Sequence, residues 1–320
     1  MSQMSNEEEI QQKEEDIKNL IKNGDSYTAL ERCQMIVRKL KRQNKLEEGL
    51  IFLMRIALIL ADQGEWHSAA VCAYRSISQF PSRSTTIRII LKHLYLQFAN
   101  MATPEAACYE LFEFYSRLGS LFDNEKEKLL EKQLALAETT NFFRYAQSFY
   151  LQLLSRYLSN PAQEGNEDKI NQLIENYSAM LWRWIQNQES KEMSIKMSQF
   201  IFCRAILLVL GNRGENVFTI TATLNDLIQT SIPDEFESDV IFKLPLFNFI
   251  QFFLKAVEQK SLETIDYLIK QYQPILDVDP EMMDHVNQAK EAQVTGGNQG
   301  LGGLGSMLQN LLGGMFGNGE

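Results

Sequence analysis

Apolar residues recur with helical spacing along most of the chain, from residue 10 to residue 290. Between residues 50 and 61 they stand at offsets 0, 3, 4, 7, 8 and 11, which brings them to one face of a helix. The three clearest series are Leu50, Leu53, Met54, Ala57, Leu58 and Ala61; Ile170, Leu173, Ile174, Tyr177, Leu181, Trp184 and Ile185; and Leu246, Phe249, Ile250, Phe253, Leu254 and Val257. This pattern predicts an all-α protein.

A short motif recurs at a nearly constant interval. "NGDSYTA" at residues 23–29 returns as "QGEWHSA" at residues 63–69, and the alanines Ala29, Ala69, Ala107 and Ala146 are spaced by 40, 38 and 39 residues. A small residue is needed where two antiparallel helices approach closely, and the aromatic residue before it in "DSYTA", "EWHSA" and "FRYA" can pack into the neighbouring hairpin. The period predicts an α-solenoid of TPR-like helical hairpins. The alternative is a chance recurrence of a common residue, and the Ala107 member is the weakest of the four.

Proline and glycine mark helix ends. Three pairs, Thr103–Pro104, Asn160–Pro161 and Asp279–Pro280, combine an N-capping side chain with the φ angle that suits the first helical turn. They predict helix starts. Gly211 is expected to cap the C-terminus of a helix.

Two segments depart from the helical pattern. Within residues 225–244, Pro233 and the β-prone "DVIFKL" predict a long connection with a short β-hairpin. Residues 295–320 are rich in Gly, Leu and Met and predict a flexible tail. Its apolar residues either form a transient amphipathic turn that meets a partner or have no role.

Composition limits the functional classes. The chain has 320 residues, is 45% hydrophobic and carries a formal net charge of −10, which favours a folded protein and argues against a surface that binds nucleic acid or an anionic membrane as a whole. No N-terminal targeting segment is predicted. The longest apolar stretches, "LIFLMRIALILA" and "FIFCRAILLVL", each contain an arginine and are shorter than the roughly 20 residues that span a bilayer. They predict core helices without stable membrane insertion.

The sequence predicts no catalytic, cofactor-binding or metal-binding residues. Cys33, Cys72, Cys108 and Cys203 form no CxxC pair, and no histidine is spaced to complete a usual zinc motif, so buried reduced thiols are expected. Of the three histidines, His67 lies in the repeat turn and is expected to pack there. "GNRG" at residues 211–214 lacks the phosphate-binding loop pattern, and the acidic runs are interpreted as solvated helix surface.

One segment is positively charged although the chain as a whole has a negative net charge. Six cations between residues 32 and 45 occur without any acidic residue, namely Arg32, Arg38, Lys39, Lys41, Arg42 and Lys45. The run is either a solvated helix end, where cations suit the helix dipole, or a docking face for an acidic partner. RNA is the least favoured ligand because stacking aromatic residues are not interleaved with the cations.

The C-terminal third carries a family resemblance. "LPLFNFIQFFLKAVEQKSLETIDYLIKQYQPILDVDP" at residues 244–280, followed by the tail "GGLGSMLQNLLGGMFG", resembles the Golgi to ER traffic protein 4 family, the cytosolic scaffold of tail-anchored protein targeting. The N-terminal "GDSYTAL" and "MIVRKL" resemble the first hairpin of that family. Residues 80–200 agree in helical layout more than in letters.

The resemblance implies a non-catalytic cytosolic scaffold with two kinds of partner. Residues 1–150 would face the targeting ATPase, through Tyr27, Arg32, Arg38, Lys39 and Arg42. Residues 151–294 would face a ubiquitin-like-domain protein, or a larger ubiquitin-like chaperone scaffold, through Val240, Ile241, Phe242 and Phe247. A co-chaperone would be bridged indirectly to the ATPase.

Two other functions remain open at this point. One is an unrelated helical-repeat adaptor of a multi-subunit assembly, and the other is a helical enzyme.

Overall fold

The protein is helical throughout the part of the chain that its computed structural model describes, which is residues 6–80, 85–159, 165–214 and 216–294. No strand occurs in these ranges. The chain divides into two compact units, one extending to Thr140 and one beginning at Asn141. In each unit successive helices pair and the pairs stack, so the predicted all-α, α-solenoid fold class is confirmed.

Unit 1 stacks its helices in chain order. α3 contacts the helices on both sides of it and also α1 and α5, which is the pattern of stacked hairpins. The α-helices of unit 1 are α1 (Asn6–Lys22), α2 (Ser26–Arg42), α3 (Leu46–Asp62), α4 (Trp66–Ser78), α5 (Thr85–Met101), α6 (Tyr109–Leu121) and α7 (Lys126–Thr139), with 3-10 turns at Pro104–Ala106 and Asp123–Glu125.

The same tight turn closes the first three helices of unit 1. One residue adopts a left-handed conformation in each turn, with φ of 79° at Gly24, 60° at Asn44 and 79° at Gly64. The next amide then donates to the carbonyl oxygen five residues back, at N–O distances of 3.0, 2.9 and 2.9 Å. Because the turns repeat every 20 residues, a helix with its turn takes 20 residues and a hairpin takes 40.

A small residue follows each of these turns on the buried side of the next helix. Ala29, Gly49 and Ala69 each stand five residues after the left-handed position, and all three are buried. At Gly49 an added Cβ would lie 3.5 Å from Cγ1 of Val37 in α2, which is ordinary van der Waals contact, so a methyl group would fit there. Ala146 has the same relation to Asn141 in unit 2. The structural origin of the Ala29–Ala69 period is therefore confirmed, whereas half-buried Ala107 follows a 3-10 turn.

The expected packing of the aromatic residues in the motif holds only in part. The Trp66 ring lies 6.2 Å from the Phe98 ring of α5, as a contact with the next hairpin requires. Tyr27 is 73% exposed, so the prediction that it packs into a neighbouring hairpin is wrong. Tyr145 pairs with Phe142 and Phe149, which are local neighbours in the chain.

Unit 2 is organised around one central helix. α10 packs against α8, α9, α11, α12, α13 and α15. The helices of unit 2 are α8 (Phe143–Leu158), α9 (Asn166–Gln186), α10 (Lys191–Leu210), α11 (Val217–Thr230), α12 (Ser238–Ile241), α13 (Pro245–Glu258), α14 (Leu262–Leu276) and α15 (Met282–Gln293). Residue 150, where the sequence analysis divided the chain, lies within α8.

The central position of α10 in unit 2 explains why this helix is so apolar. Among the described residues it is the one helix whose length and hydropathy would allow it to cross a membrane, yet 67% of its most apolar window is buried inside the protein. It is therefore a core helix, as predicted. The series on α13 is buried at all six positions, whereas Leu58, Leu173 and Trp184 in the other two series are half-buried.

The predicted β-hairpin is wrong. The segment after Pro233 forms a turn and then the single helical turn α12, in which the carbonyl oxygen of Glu237 accepts from the amides of Val240 and Ile241 at 3.0 and 3.3 Å. The β-branched letters favour a strand, but a strand without a pairing partner would leave its amides unsatisfied. The local structure depends instead on the burial of Phe236 and Ile241 within unit 2.

The predicted helix ends need partial correction. Pro104 begins a 3-10 turn rather than an α-helix, and the Thr103 side chain makes no capping hydrogen bond. Asp279 accepts from the Glu281 amide at 3.2 Å, and α15 begins only at Met282, so the turn precedes the helix. Gly211 is the C-cap of α10, as predicted. The predicted start at Asn160–Pro161 and the predicted tail at residues 295–320 lie outside the described residues.

A buried polar cluster ties α10 to the start of α15. The Arg204 guanidinium pairs with Asp279 and also lies 3.3 Å from Oε2 of Glu281. His285 is buried beside this cluster. Burial, helped by the positive charge of Arg204, lowers the pKa of His285 below its ordinary value, while the carboxylates of Glu281, Asp279 and Asp284 oppose that shift.

We expect Ala69→Leu to lower the free energy of unfolding by about 1 to 3 kcal/mol, because three added carbons must fit into a close helix crossing. The matched control is Ala135→Leu, on the exposed side of α7. Urea unfolding followed by circular dichroism measures both changes. Equal midpoints for the two variants would contradict the packing role of Ala69.

We expect His285 to make stability fall as the pH is lowered from about 7.5 to about 5.5. The unfolded chain takes up a proton near the ordinary pKa of 6.5, whereas the folded chain resists protonation until lower pH, so the stabilisation is present above that value and lost below it. His285→Gln should show a smaller fall in urea midpoint over this range. Exposed His93→Gln should retain the fall of the wild type, and an identical fall in His285→Gln would refute the assignment.

Candidate functional site

The outward face of α2 is the first candidate site. α2 buries Ser26, Ala29, Cys33, Val37 and Leu40 against unit 1. Its opposite side is exposed, and on it Tyr27, Glu31, Met35, Arg38 and Arg42 follow one another at offsets 0, 4, 8, 11 and 15, which is the spacing of a single helical stripe. These five residues are called the α2 stripe below.

The α2 stripe combines apolar surface with positive charge. Tyr27 is 73% exposed and Met35 is 60% exposed. The Tyr27 hydroxyl donates a hydrogen bond to the Glu31 carboxylate, and that negative charge raises the pKa of Tyr27. Cations in the last turn of α2 suit the helix dipole whether or not a partner binds. The two large exposed apolar side chains on the same helix are not explained by the dipole and are typical of a contact surface.

The structure brings the predicted ATPase-facing residues to one side of α2. Tyr27, Arg38 and Arg42 lie within the stripe, and Arg32 and Lys39 are exposed beside it, within an arc of about 140° at 100° per residue. Met35 was missed by the sequence analysis. The sequence spacing could have identified Met35, because it stands three residues before Arg38 and does not belong to the buried series of α2.

The four residues predicted to face a ubiquitin-like partner divide between surface and core. Val240 is 42% exposed and Phe242 is half-buried. Ile241 and Phe247 are buried, so direct contact through these two is not available in this structure. The Phe247 ring lies 5.0 Å from the Phe242 ring and 5.5 Å from the Phe202 ring, so Phe247 supports the surface from beneath.

Further apolar side chains are exposed on α13 and α14. Phe252 is 50% exposed, Tyr267 is 62% exposed and Leu262 is 41% exposed. Phe252 lies off the buried series of α13, which was the signal that could have marked it as a surface residue. None of these three was selected from the sequence.

Unit 2 also contains an open cavity of about 280 Å³ beside the polar cluster described above. Its walls include Trp184, Phe200 and Val278, and the charged residues that line it are Arg144, Arg204 and Asp279. Because Arg204 is already engaged by Asp279 and Glu281, the cavity offers chiefly apolar surface. It is not a site with an evident catalytic group.

The prediction for His67 is wrong, whereas the prediction for the cysteines is confirmed. His67 is 72% exposed at its side chain, so the prediction that it packs in the repeat turn is wrong. Its Nδ1 lies 3.5 Å from Oε2 of Glu110, near Cys108. Cys33, Cys72 and Cys203 are buried and Cys108 is half-buried, and all four thiols are free, as expected.

Comparison with known proteins identifies relatives of the chain. The model of the family described as Golgi to ER traffic protein 4 matches residues 165–316. The Golgi to ER traffic protein 4 homolog of Oryzias latipes is 25% identical over 328 residues, which cover 100% of this chain and 92% of that protein.

A solved structure was also found. The crystal structure of C. therm. Get4 aligns over 97% of this chain and 96% of its own length, with 15% identity and a TM-score of 0.39. At that score the superposition adds nothing to the fold assignment, which follows from the helices themselves.

The family match covers the segment that contains α9 to α15, and the relative extends the similarity over the first eight helices as well. These matches confirm the resemblance to the Golgi to ER traffic protein 4 family that the sequence shows.

Proposed function

We propose that the protein is a non-catalytic cytosolic scaffold in the post-translational targeting of tail-anchored membrane proteins to the ER. Unit 1 binds the targeting ATPase, and unit 2 binds a ubiquitin-like-domain protein or a larger ubiquitin-like chaperone scaffold. A co-chaperone that carries the substrate reaches the ATPase through this bridge. Neither nucleic acid nor a membrane span is part of the function.

The observation that carries the proposal is the α2 stripe, in a chain that resembles the Golgi to ER traffic protein 4 family. An exposed tyrosine and methionine supply apolar contact area, and Arg38 and Arg42 supply positive charge within the same stripe. Aromatic and arginine side chains contribute most strongly at protein interfaces, and clustered charge accelerates the encounter with an acidic partner. The stripe thus suits a partner whose contact face has apolar surface opposite Tyr27 and Met35 and acidic groups opposite Arg38 and Arg42.

Several features support the same division of roles in unit 2. Val240 and Phe242 offer an apolar edge after the α11–α12 connection, and the aromatic contacts beneath them hold that edge in place. A ubiquitin-like domain presents a folded surface rather than an extended peptide, so a preformed apolar edge is the feature that it needs. We assign direct contact to Val240 and Phe242 and a supporting role to Ile241 and Phe247.

Reversing two charges of the α2 stripe should weaken binding of the targeting ATPase by roughly tenfold at low salt, because attraction is replaced by repulsion. The variant is Arg38→Glu with Arg42→Glu. Isothermal titration at two salt concentrations measures the effect, and the wild-type affinity should fall with added salt more steeply than that of the variant.

The control for this experiment changes the same net charge elsewhere on unit 1. Arg117→Glu with Lys128→Glu places the reversals at exposed positions of α6 and α7. This control should bind like the wild type. If both double variants bind the ATPase as tightly as the wild type, the α2 stripe is not the contact surface.

Val240→Asp should weaken capture of the ubiquitin-like partner without changing the urea midpoint, since Val240 is 42% exposed. Val278→Asp is the matched control, because it places the same change at a 66% exposed valine of the same unit. Binding is measured by titration of the purified partner. A loss confined to Val278→Asp would move the contact to the cavity beside Trp184, and no loss in either variant would reject both positions.

A further inference from the structure

We infer that unit 1 carries a transition-metal site of the zinc type formed by His67, Cys108 and Glu110. The Nδ1 or Nε2 atom of the histidine, the Sγ atom of the cysteine and a carboxylate oxygen of the glutamate all lie within 4.8 Å of one another. The site shares no residue with the α2 stripe or with the apolar edge that Val240 and Phe242 form. It is therefore independent of the scaffold function proposed above.

The fold places each ligand at the start of a helix. His67 is the second residue of α4, Cys108 precedes α6 as its N-cap, and Glu110 is the second residue of α6. α4 and α6 pack directly on each other, so their N-terminal ends lie side by side. The sequence spacing conceals this arrangement, because 40 residues lie between the histidine and the cysteine.

The distances fit a small coordination sphere. With bonds of about 2.0 Å to nitrogen or oxygen and about 2.3 Å to sulfur, the ligand atoms of a tetrahedral zinc ion stand about 3.5 Å apart. Nδ1 of His67 and Oε2 of Glu110 are already 3.5 Å apart. The His67 side chain is 72% exposed, so it can turn toward a shared ion without displacing the core.

Cys108 makes no side-chain capping hydrogen bond, but as the N-cap residue it stands at the N-terminal end of α6. Burial raises the pKa of the Cys108 thiol, and the backbone amides of Leu111 and Glu110 oppose that shift. The positive end of α6 favours the two anionic ligands, the thiolate and the carboxylate, and the ion balances their charges. On metal binding the thiol proton is released to solvent, and the imidazole binds as the neutral ring.

The donor set selects the class of ion. One thiolate, one imidazole and one carboxylate match the ligands that Zn²⁺ and Co²⁺ take, with water at the fourth position, whereas Mg²⁺ and Ca²⁺ prefer oxygen ligands alone. Without an ion, the contact between exposed His67 and half-buried Glu110 adds little, because ion pairs near the surface are weak. With an ion, the starts of α4 and α6 are joined, and unfolding of unit 1 must break that link.

Cobalt titration of the full-length, chelator-treated protein tests the site. Co²⁺ should bind with a 1:1 stoichiometry and give visible ligand-field bands with a thiolate charge-transfer band in the near ultraviolet. The other three cysteines are buried, so Cys108 is the expected source of the thiolate band. Cys108→Ser should abolish that band, and His67→Gln and Glu110→Gln should each weaken binding by about tenfold or more.

The control for the histidine ligand is His93→Gln, which alters an exposed histidine of α5 and should bind Co²⁺ like the wild type. A second readout is the thermal midpoint, which Zn²⁺ should raise in the wild type and in His93→Gln but not in Cys108→Ser. Far-ultraviolet circular dichroism establishes that each variant is folded. Absence of a thiolate band, its survival in Cys108→Ser, or equal affinity in His67→Gln and the wild type would each overturn the site.

Discussion

The close approach of neighbouring helices at a small residue is the constraint on which the fold of unit 1 depends. A left-handed turn residue at Gly24, Asn44 or Gly64 ends one helix, and five residues later Ala29, Gly49 or Ala69 lies buried in the next. Both requirements act on the same 20-residue unit. The turn fixes where the chain reverses, and the small residue allows the two helices to pack without a gap or a clash.

This constraint also determines which side chains reach the surface. Because Ala29, Cys33, Val37 and Leu40 face the core, Tyr27, Met35 and Arg38 must face outward. The same rule acts in unit 2, where burial of the α13 series leaves Phe252 exposed. Exposed apolar side chains are thus positioned by the packing of their neighbours. They are candidates for contact surfaces because nothing in the stability of the helix requires them there.

The sequence predicted what depends on local periodicity and missed what depends on long-range contact. The α13 series and the alanine repeat were found because each recurs at a spacing that helix geometry imposes. The strand expected around Val240 failed because β propensity depends on a pairing partner, and the described part of the chain offers none. Burial of Ile241 and exposure of His67 could not be foreseen either, since each depends on which distant helix packs beside it.

The cluster of His67, Cys108 and Glu110 shows how the same repeat can create a site that no sequence motif indicates. Helices that stack in register bring their first turns together, so residues at equivalent places in α4 and α6 become neighbours even though each looks solvated in its own segment. A zinc motif within one loop can be recognised by its spacing, whereas a site built across stacked helices follows only the period of the solenoid. In such folds, candidate ligands are therefore better compared at equivalent helix positions than at short intervals along the chain.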